Sequence, residues 1–158
     1  MLTLSGGLLA LGLVRRDGRL VRAGSRMIAS HLLATGIKNF VKARIDRTRP
    51  RSAKGARGHK PKLGRSDAKE ETSFPSGHSA GALAVARAFS REVPEYRSAA
   101  LTGAGLIALV QVPRCAHYPT DVGAGLAIGW LSELAVDRAA RLLPPMAKRR
   151  APAAPGDC

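Results

Sequence analysis

Apolar side chains gather in five stretches along the chain. Residues 1–14 form a Leu/Gly/Ala run that ends against Arg15, Arg16, Asp17, Gly18 and Arg19. No basic segment precedes it and no A-x-A-like cleavage site follows, so it reads as a retained apolar helix. In residues 20–44, Met27, Ile28, Leu32, Leu33, Ile37, Phe40 and Val41 alternate with Arg22, Arg26, Lys38 and Lys42. Apolar pairs recur there at spacings of three and four, as on one helix face. Residues 75–91 are Ala-rich and open with a Pro followed by a Ser, a marked helix start. Residues 98–113 are apolar and uncharged. Residues 119–143 read as a last helix, with Asp121 in its first turn and Arg138 and Arg141 near its end, in accord with the helix dipole. No strand-like alternation is sustained. The pattern predicts an all-α fold, a compact bundle of about five helices in a single domain over residues 1–143.

Between the second and third apolar stretches the composition changes. Residues 44–69 hold ten Lys or Arg against Asp46 and Asp67, with Ile45 and Leu63 as the large apolar side chains. Residues 44–74 therefore read as a basic, mobile loop inside the domain, and residues 144–158, basic and then Ala/Pro-rich, as a disordered tail.

A bilayer-spanning helix needs about 20 mostly apolar residues. Residues 98–113 and 122–136 are shorter, and Glu133 interrupts the second. Both are nonetheless rich in Gly, including a Gly125-x-x-x-Gly129 spacing that lets helix backbones approach closely in lipid. This weighs towards a membrane bundle over a small soluble one. The chain carries 26 Lys and Arg against 11 Asp and Glu, a formal charge of +15, which calls for an anionic partner. Aromatics are only 4%, thin for stacking exposed bases, so no nucleic-acid partner is expected. Cys115 and Cys158 build no disulfide framework and no metal motif, and both are taken as free thiols; no metal or cofactor is expected.

Three clusters carry candidate chemistry. In the first, Lys42 is followed after six residues by Arg49 and Pro50; a guanidinium fork and an ammonium together suit phosphoryl oxygens, although a solvated charge run would look similar. In the second, Pro75-Ser76-Gly77-His78 opens a helix, where Gly77 admits close backbone approach, the first-turn amides point outward, the Ser76 hydroxyl can donate and His78 can carry a proton. The third is Arg114-Cys115-Ala116-His117-Tyr118-Pro119-Thr120-Asp121. His117 sits at a helix junction, and Asp121, four residues on, is placed to accept from Nδ1 and leave Nε2 nucleophilic. Alternating helix directions bring all three clusters to one end of the bundle. His117 as nucleophile, His78 as proton donor and Lys42, Arg49, Ser76 and Gly77 as charge holders would make a phosphoryl-transfer site.

These residues, in this order, resemble the type 2 phosphatidic acid phosphatase superfamily, which also contains bacterial acid phosphatases and vanadium haloperoxidases. The resemblance runs from Lys42 to Asp121. The first motif, Lys, six residues, Arg-Pro, is matched by Lys42, Arg49 and Pro50, and the second by Ser76, Gly77 and His78. The third, Ser-Arg, five residues, His, three residues, Asp, is matched by His117 and Asp121, but Val110 and Gln111 stand at the Ser and Arg positions. On an ideal helix Arg114 is one turn away and rotated by about 60°, within reach of the vacant place. Arg114 is therefore assigned to phosphate, with Gln111 as a neutral alternative. The resemblance implies a metal-independent lipid phosphatase acting through a phosphohistidine on phosphatidate, phosphatidylglycerophosphate or a polyprenyl (di)phosphate. It also implies an integral protein of the bacterial inner membrane, with the site facing away from the cytoplasm. Lys and Arg divide equally between the two ends, so charge gives no orientation. The rival reading is a non-catalytic basic protein that binds anionic lipid or nucleic acid. A haloperoxidase is disfavoured by the shortness of the chain.

Overall fold

The computed structural model describes residues 1–52, 62–64 and 72–142, the side chain of Arg51 excepted. Five helices dominate: α1 (Leu2–Arg15), α2 (Gly18–Lys42), α3 (Gly77–Glu92), α4 (Arg97–Leu109) and α5 (Pro119–Leu142). The expected class and number of helices are observed. The all-α reading needs one addition, because β1 (Ile45–Asp46) pairs antiparallel with β2 (Lys62–Leu63), and Arg47 bridges in parallel to Thr72. Much of the basic stretch expected to be mobile, residues 53–61 and 65–71, and the expected tail beyond residue 142 lie outside the described residues.

Local chemistry sets the helix ends. Arg16, in the left-handed region at φ 54°, closes α1, and the Asp17 carboxylate caps α2 by accepting from the amides of Arg19 (2.8 Å) and Leu20 (3.3 Å). Ser76 caps α3, so that helix begins two residues after Pro75. The α1–α2 hairpin brackets one side of α3, while α5 and α4 pack on others. α3 is enclosed because its side chains are small, with Ala80, Ala82, Ala84, Ala86 and Ala88 all buried. Three small clusters form the core: Met27, Val85 and Ala88; Ala34, Ala80 and Ala84; Ala82, Ala86 and Ala104.

Such a core requires near contact of helix backbones. A Cβ on Gly125 would lie 2.4 Å from the Ser76 carbonyl oxygen, and one on Gly129 2.3 Å from that of Ala80, so α5 is seated on α3 through these two glycines. The same face of α5 carries Asp121 at one end and Glu133 and Asp137 at the other. At that far end Glu133 accepts from Arg87 and Arg91, each at 2.8 Å, and Asp137 pairs with Arg26 and Arg141, each at 2.9 Å. Buried carboxylates of this kind persist because each has a guanidinium partner.

The expectation of membrane spans is not met as stated: among the described residues, no helix is long and apolar enough to cross a membrane. The longest, α2 and α5, carry Arg22, Arg26, Lys38, Glu133 and Asp137 along their length. The apolar α1 and α4, with 14 and 13 residues, extend about 20 Å against a hydrocarbon thickness of about 30 Å. Large apolar side chains are nevertheless exposed on four helices, among them Leu4, Leu13, Leu32, Phe40, Leu106, Leu109 and Leu131.

The seating of α5 yields a stability test. We expect Gly129→Val to cost about 3 kcal/mol or more and to lower Tm by roughly 6–12 °C, because the clash is with backbone. Gly103→Ala, where the added Cβ meets nothing within 4 Å, should leave Tm unchanged or raise it slightly. Equal losses in the two variants would contradict the seating.

Candidate active site

α2 ends, α3 begins and α4 hands over to α5 at one end of the bundle. His117 lies there, 4% exposed, in the connection between α4 and α5. Its Nδ1 is 2.7 Å from the Ser73 carbonyl oxygen, which can only accept, so Nδ1 carries the proton and Nε2 is left with its lone pair. The expected partner, Asp121, is 3.9 Å from Nδ1, too far for a hydrogen bond. The reason is that its carboxylate is already occupied. Oδ1 accepts from Arg47 Nη1 at 2.6 Å, while Oδ2 accepts from the Ser73 hydroxyl and from the Tyr118 amide at 2.9 Å. Asp121 is fully buried, and its own carbonyl accepts from the Ser76 amide at 3.0 Å. It acts on His117 as a nearby negative charge and as the anchor of Ser73.

Burial pushes the His117 pKa below 6.5, and the positive charges of Arg49 and Lys42 add to the effect; the Ser73 hydrogen bond and Asp121 oppose it. His117 is therefore neutral at pH 7. Lys42, the last residue of α2, donates to the Thr72 carbonyl at 2.8 Å. Burial, with Lys38 and Arg49 close by, lowers its pKa to about 8, against the pull of Asp121. Lys42 and His117 thus each feel Arg49 and Asp121.

The start of α3 faces the same region. Ser76 is fully buried and its hydroxyl is committed to the cap, 2.9 Å from Ser79 Oγ and accepting from the Ser79 amide at 3.5 Å. The geometry therefore gives Ser76 a local structural task at the cap. The amides of Gly77 and His78 have no acceptor among the described residues, which leaves two N–H donors for an anion. The His78 ring is exposed on the first turn.

Arg114 lies outside the cluster formed by the other candidate residues. α4 ends at Leu109, so residues 110–116 follow turns, with Cys115 at φ 49°, and the ideal-helix reach does not apply. Arg114 is exposed, and its guanidinium contacts none of the described site residues. Gln111 is no substitute: its side-chain Nε2 donates to the Ile107 carbonyl at 2.9 Å, and its own carbonyl accepts from the His117 amide at 3.3 Å. It fixes the His117 backbone.

Three residues enter that sequence reasoning missed. Arg47 holds Asp121 and Thr120 (2.7 Å to Oγ1) and lies over the Tyr118 ring, 4.1 Å from its centroid. Nothing local separates it from the other cations of residues 44–69. Ser73 precedes the recognisable motif. Lys38 lies across the first turn of α3, where its Cδ would be 2.9 Å from a Cβ on Gly77. Its signal was available, since it stands one helical turn before Lys42 on α2.

The profile of the PAP2 superfamily matches residues 23–141, three quarters of the chain and the whole of α3, α4 and the His117 junction. The chain belongs to the PAP2 superfamily. Among PAP2 relatives, two proteins named lipid A 1-phosphatase, from Rhizobium etli and Rhizobium johnstonii, are each 48% identical over 63 residues, 39% of this chain. The matched stretch is 27% and 26% of those proteins, so this PAP2 chain spans about a quarter of their length. No solved structure matches it.

The electrostatics of this PAP2 site can be read directly. In the ligand-free protein, NMR titration should show His117 protonating below pH 6.5, and Arg49→Ala should move that pKa upward by removing a positive neighbour. A His117 pKa at or above 6.5, or a downward move in the variant, would contradict the arrangement.

Proposed function

We propose that the chain is a metal-independent phosphatase that hydrolyses a phosphate monoester or diphosphate on a lipid through a phosphohistidine at His117. The observation that carries this reading is the buried imidazole whose Nδ1 is committed to the Ser73 carbonyl, leaving Nε2 bare beside Lys42 and Arg49. In the first step Nε2 attacks phosphorus; an N–P bond forms as the P–O bond to the lipid breaks, and the leaving oxygen takes a proton from protonated His78. Neutral His78 then takes a proton from water as that water attacks phosphorus, and His117 leaves as inorganic phosphate forms. Lys42, Arg49, Lys38 and the amides of Gly77 and His78 hold the charge of the equatorial oxygens. Asp121 stabilises the positive ring of phosphorylated His117 from 3.9 Å.

The lipid nature of the substrate is supported by the names of the relatives and by the exposed leucines on the helices. A lipid A-type 1-phosphate therefore joins phosphatidate, phosphatidylglycerophosphate and polyprenyl (di)phosphates as a substrate to test. The same reading puts the chain at a bacterial membrane with the His117 end facing away from the cytoplasm.

Phosphate release from short-chain phosphatidate and from lipid A, in detergent with EDTA, tests the activity. We expect release by the wild type and a loss of roughly a thousandfold or more in His117→Ala. No release by the wild type would sink the proposal and favour a non-catalytic anion binder, and full release by His117→Ala would remove the phosphohistidine at His117.

The pH profile supplies a separate test. Activity (kcat/KM) should fall on the acid side as His117 protonates below pH 6.5, and on the alkaline side as the proton donors of the site, Lys42 with its pKa of about 8 among them, lose their protons. Lys42→Arg, which stays charged, should move the alkaline limb to higher pH even if the rate drops. An unmoved limb would show that another group sets it.

A further inference from the structure

A second basic recess lies away from His117. A cleft of about 130 Å³ opens between α3 and α4, lined by Arg87, Ser90, Arg91, Arg97 and Leu101. Arg87 and Arg91 are 10 and 14 residues beyond Gly77, about 15–21 Å along the helix, so the cleft belongs to the far end of the bundle. Its guanidiniums are pre-set. Glu133, 1% exposed, accepts from the Nε of both Arg87 and Arg91 at 2.8 Å and so fixes one edge of each. Among the described residues, the Nη groups of Arg87 have no partner, those of Arg91 have one, Asp137 at 3.4 Å, and exposed Arg97 has none. Ser90 spends its hydroxyl proton on the Ala86 carbonyl at 2.7 Å, so the cleft offers an anion cationic N–H donors.

Two further features set the chemistry of the ligand. Charge is in excess: three arginines line the cleft, Glu133 answers two of them, and Asp137 is shared with Arg26 and Arg141. The cleft is also amphipathic. Leu101 forms an apolar wall, and the Trp130 ring, 44% exposed, lies 5.5 Å from the Arg87 guanidinium. A half-exposed indole beside arginines is the arrangement found where headgroups meet acyl chains, and forked guanidiniums match the oxygens of a phosphate.

We propose that this cleft binds the phosphate group of an anionic amphiphile, at a site separate from His117 and without turnover. Trp130 is the single tryptophan of the chain, so its fluorescence reports this end of the bundle. The full chain in non-ionic detergent is titrated with dihexanoyl phosphatidylglycerol, with inorganic phosphate, and with dihexanoyl phosphatidylcholine as a lipid of no net charge. We expect a saturable change in Trp130 emission with phosphatidylglycerol, weakened about tenfold or more in Arg97→Ala and lost in Arg97→Glu. Arg97 has no partner to lose, so both variants should fold, and phosphate release at His117 should be unchanged. A response to inorganic phosphate of equal affinity and the same Arg97 dependence supports the anion site and makes free phosphate its ligand. No saturable response to either anion, an equal response to phosphatidylcholine, or titrations unaffected in both Arg97 variants would overturn the proposal. The readout does not depend on turnover, so its failure and a failure of the phosphatase reading are separate results.

Discussion

The buried carboxylate of Asp121 holds the His117 end together. It is fully removed from water, an expensive position for a charge unless every oxygen is answered, and Arg47, Ser73 and the Tyr118 amide answer it. Each donor comes from a different part of the chain: Arg47 from the segment after α2, Ser73 from the approach to α3, and Tyr118 from the entry to α5. The Ser76 amide, bound to the Asp121 carbonyl, adds the cap of α3. One side chain thereby fixes three segments and, through Ser73, the orientation of the imidazole.

That arrangement places Asp121 one step removed from the His117 ring, 3.9 Å from Nδ1 and joined to it through Ser73. A carboxylate hydrogen-bonded directly to Nδ1 would raise the basicity of His117 strongly. A backbone carbonyl fixes the tautomer as firmly while adding no full charge, and burial with Arg49 and Lys42 then keeps the ring neutral. The outcome is a neutral imidazole next to cations, the combination that the proposed phosphoryl transfer from an anionic ester asks for.

The alanine-rich core serves this geometry. Side chains on α3 are short enough for α5 to touch its backbone at Gly125 and Gly129, which sets the depth at which Asp121 enters the site. Glu133 and Asp137 on the same face of α5 are tied to arginines of α2 and α3 at the opposite end. α5 is thus pinned by carboxylates at both ends and by backbone contact between them, a firm seat that a thin hydrophobic core alone would not provide.

Five helices, their approximate limits and the end at which Lys42, Gly77, His78, His117 and Asp121 gather were legible in the sequence, because periodicity, capping residues and helix alternation are local properties read along the chain. The close Gly125/Gly129 contact was legible for the same reason. The pairing of those side chains was not. Asp121 lies four residues from His117, yet its hydrogen bonds go to Arg47 and Ser73, 74 and 48 residues away; Ser76 caps its helix; and Arg114 stays at the surface because α4 stops at Leu109. Sequence spacing determined that Lys42, Gly77, His78, His117 and Asp121 lie at this end of the bundle. Only the tertiary structure decided which partner each group takes, since a buried polar atom bonds to whatever donor or acceptor the packing brings within about 3 Å, whatever its distance along the chain.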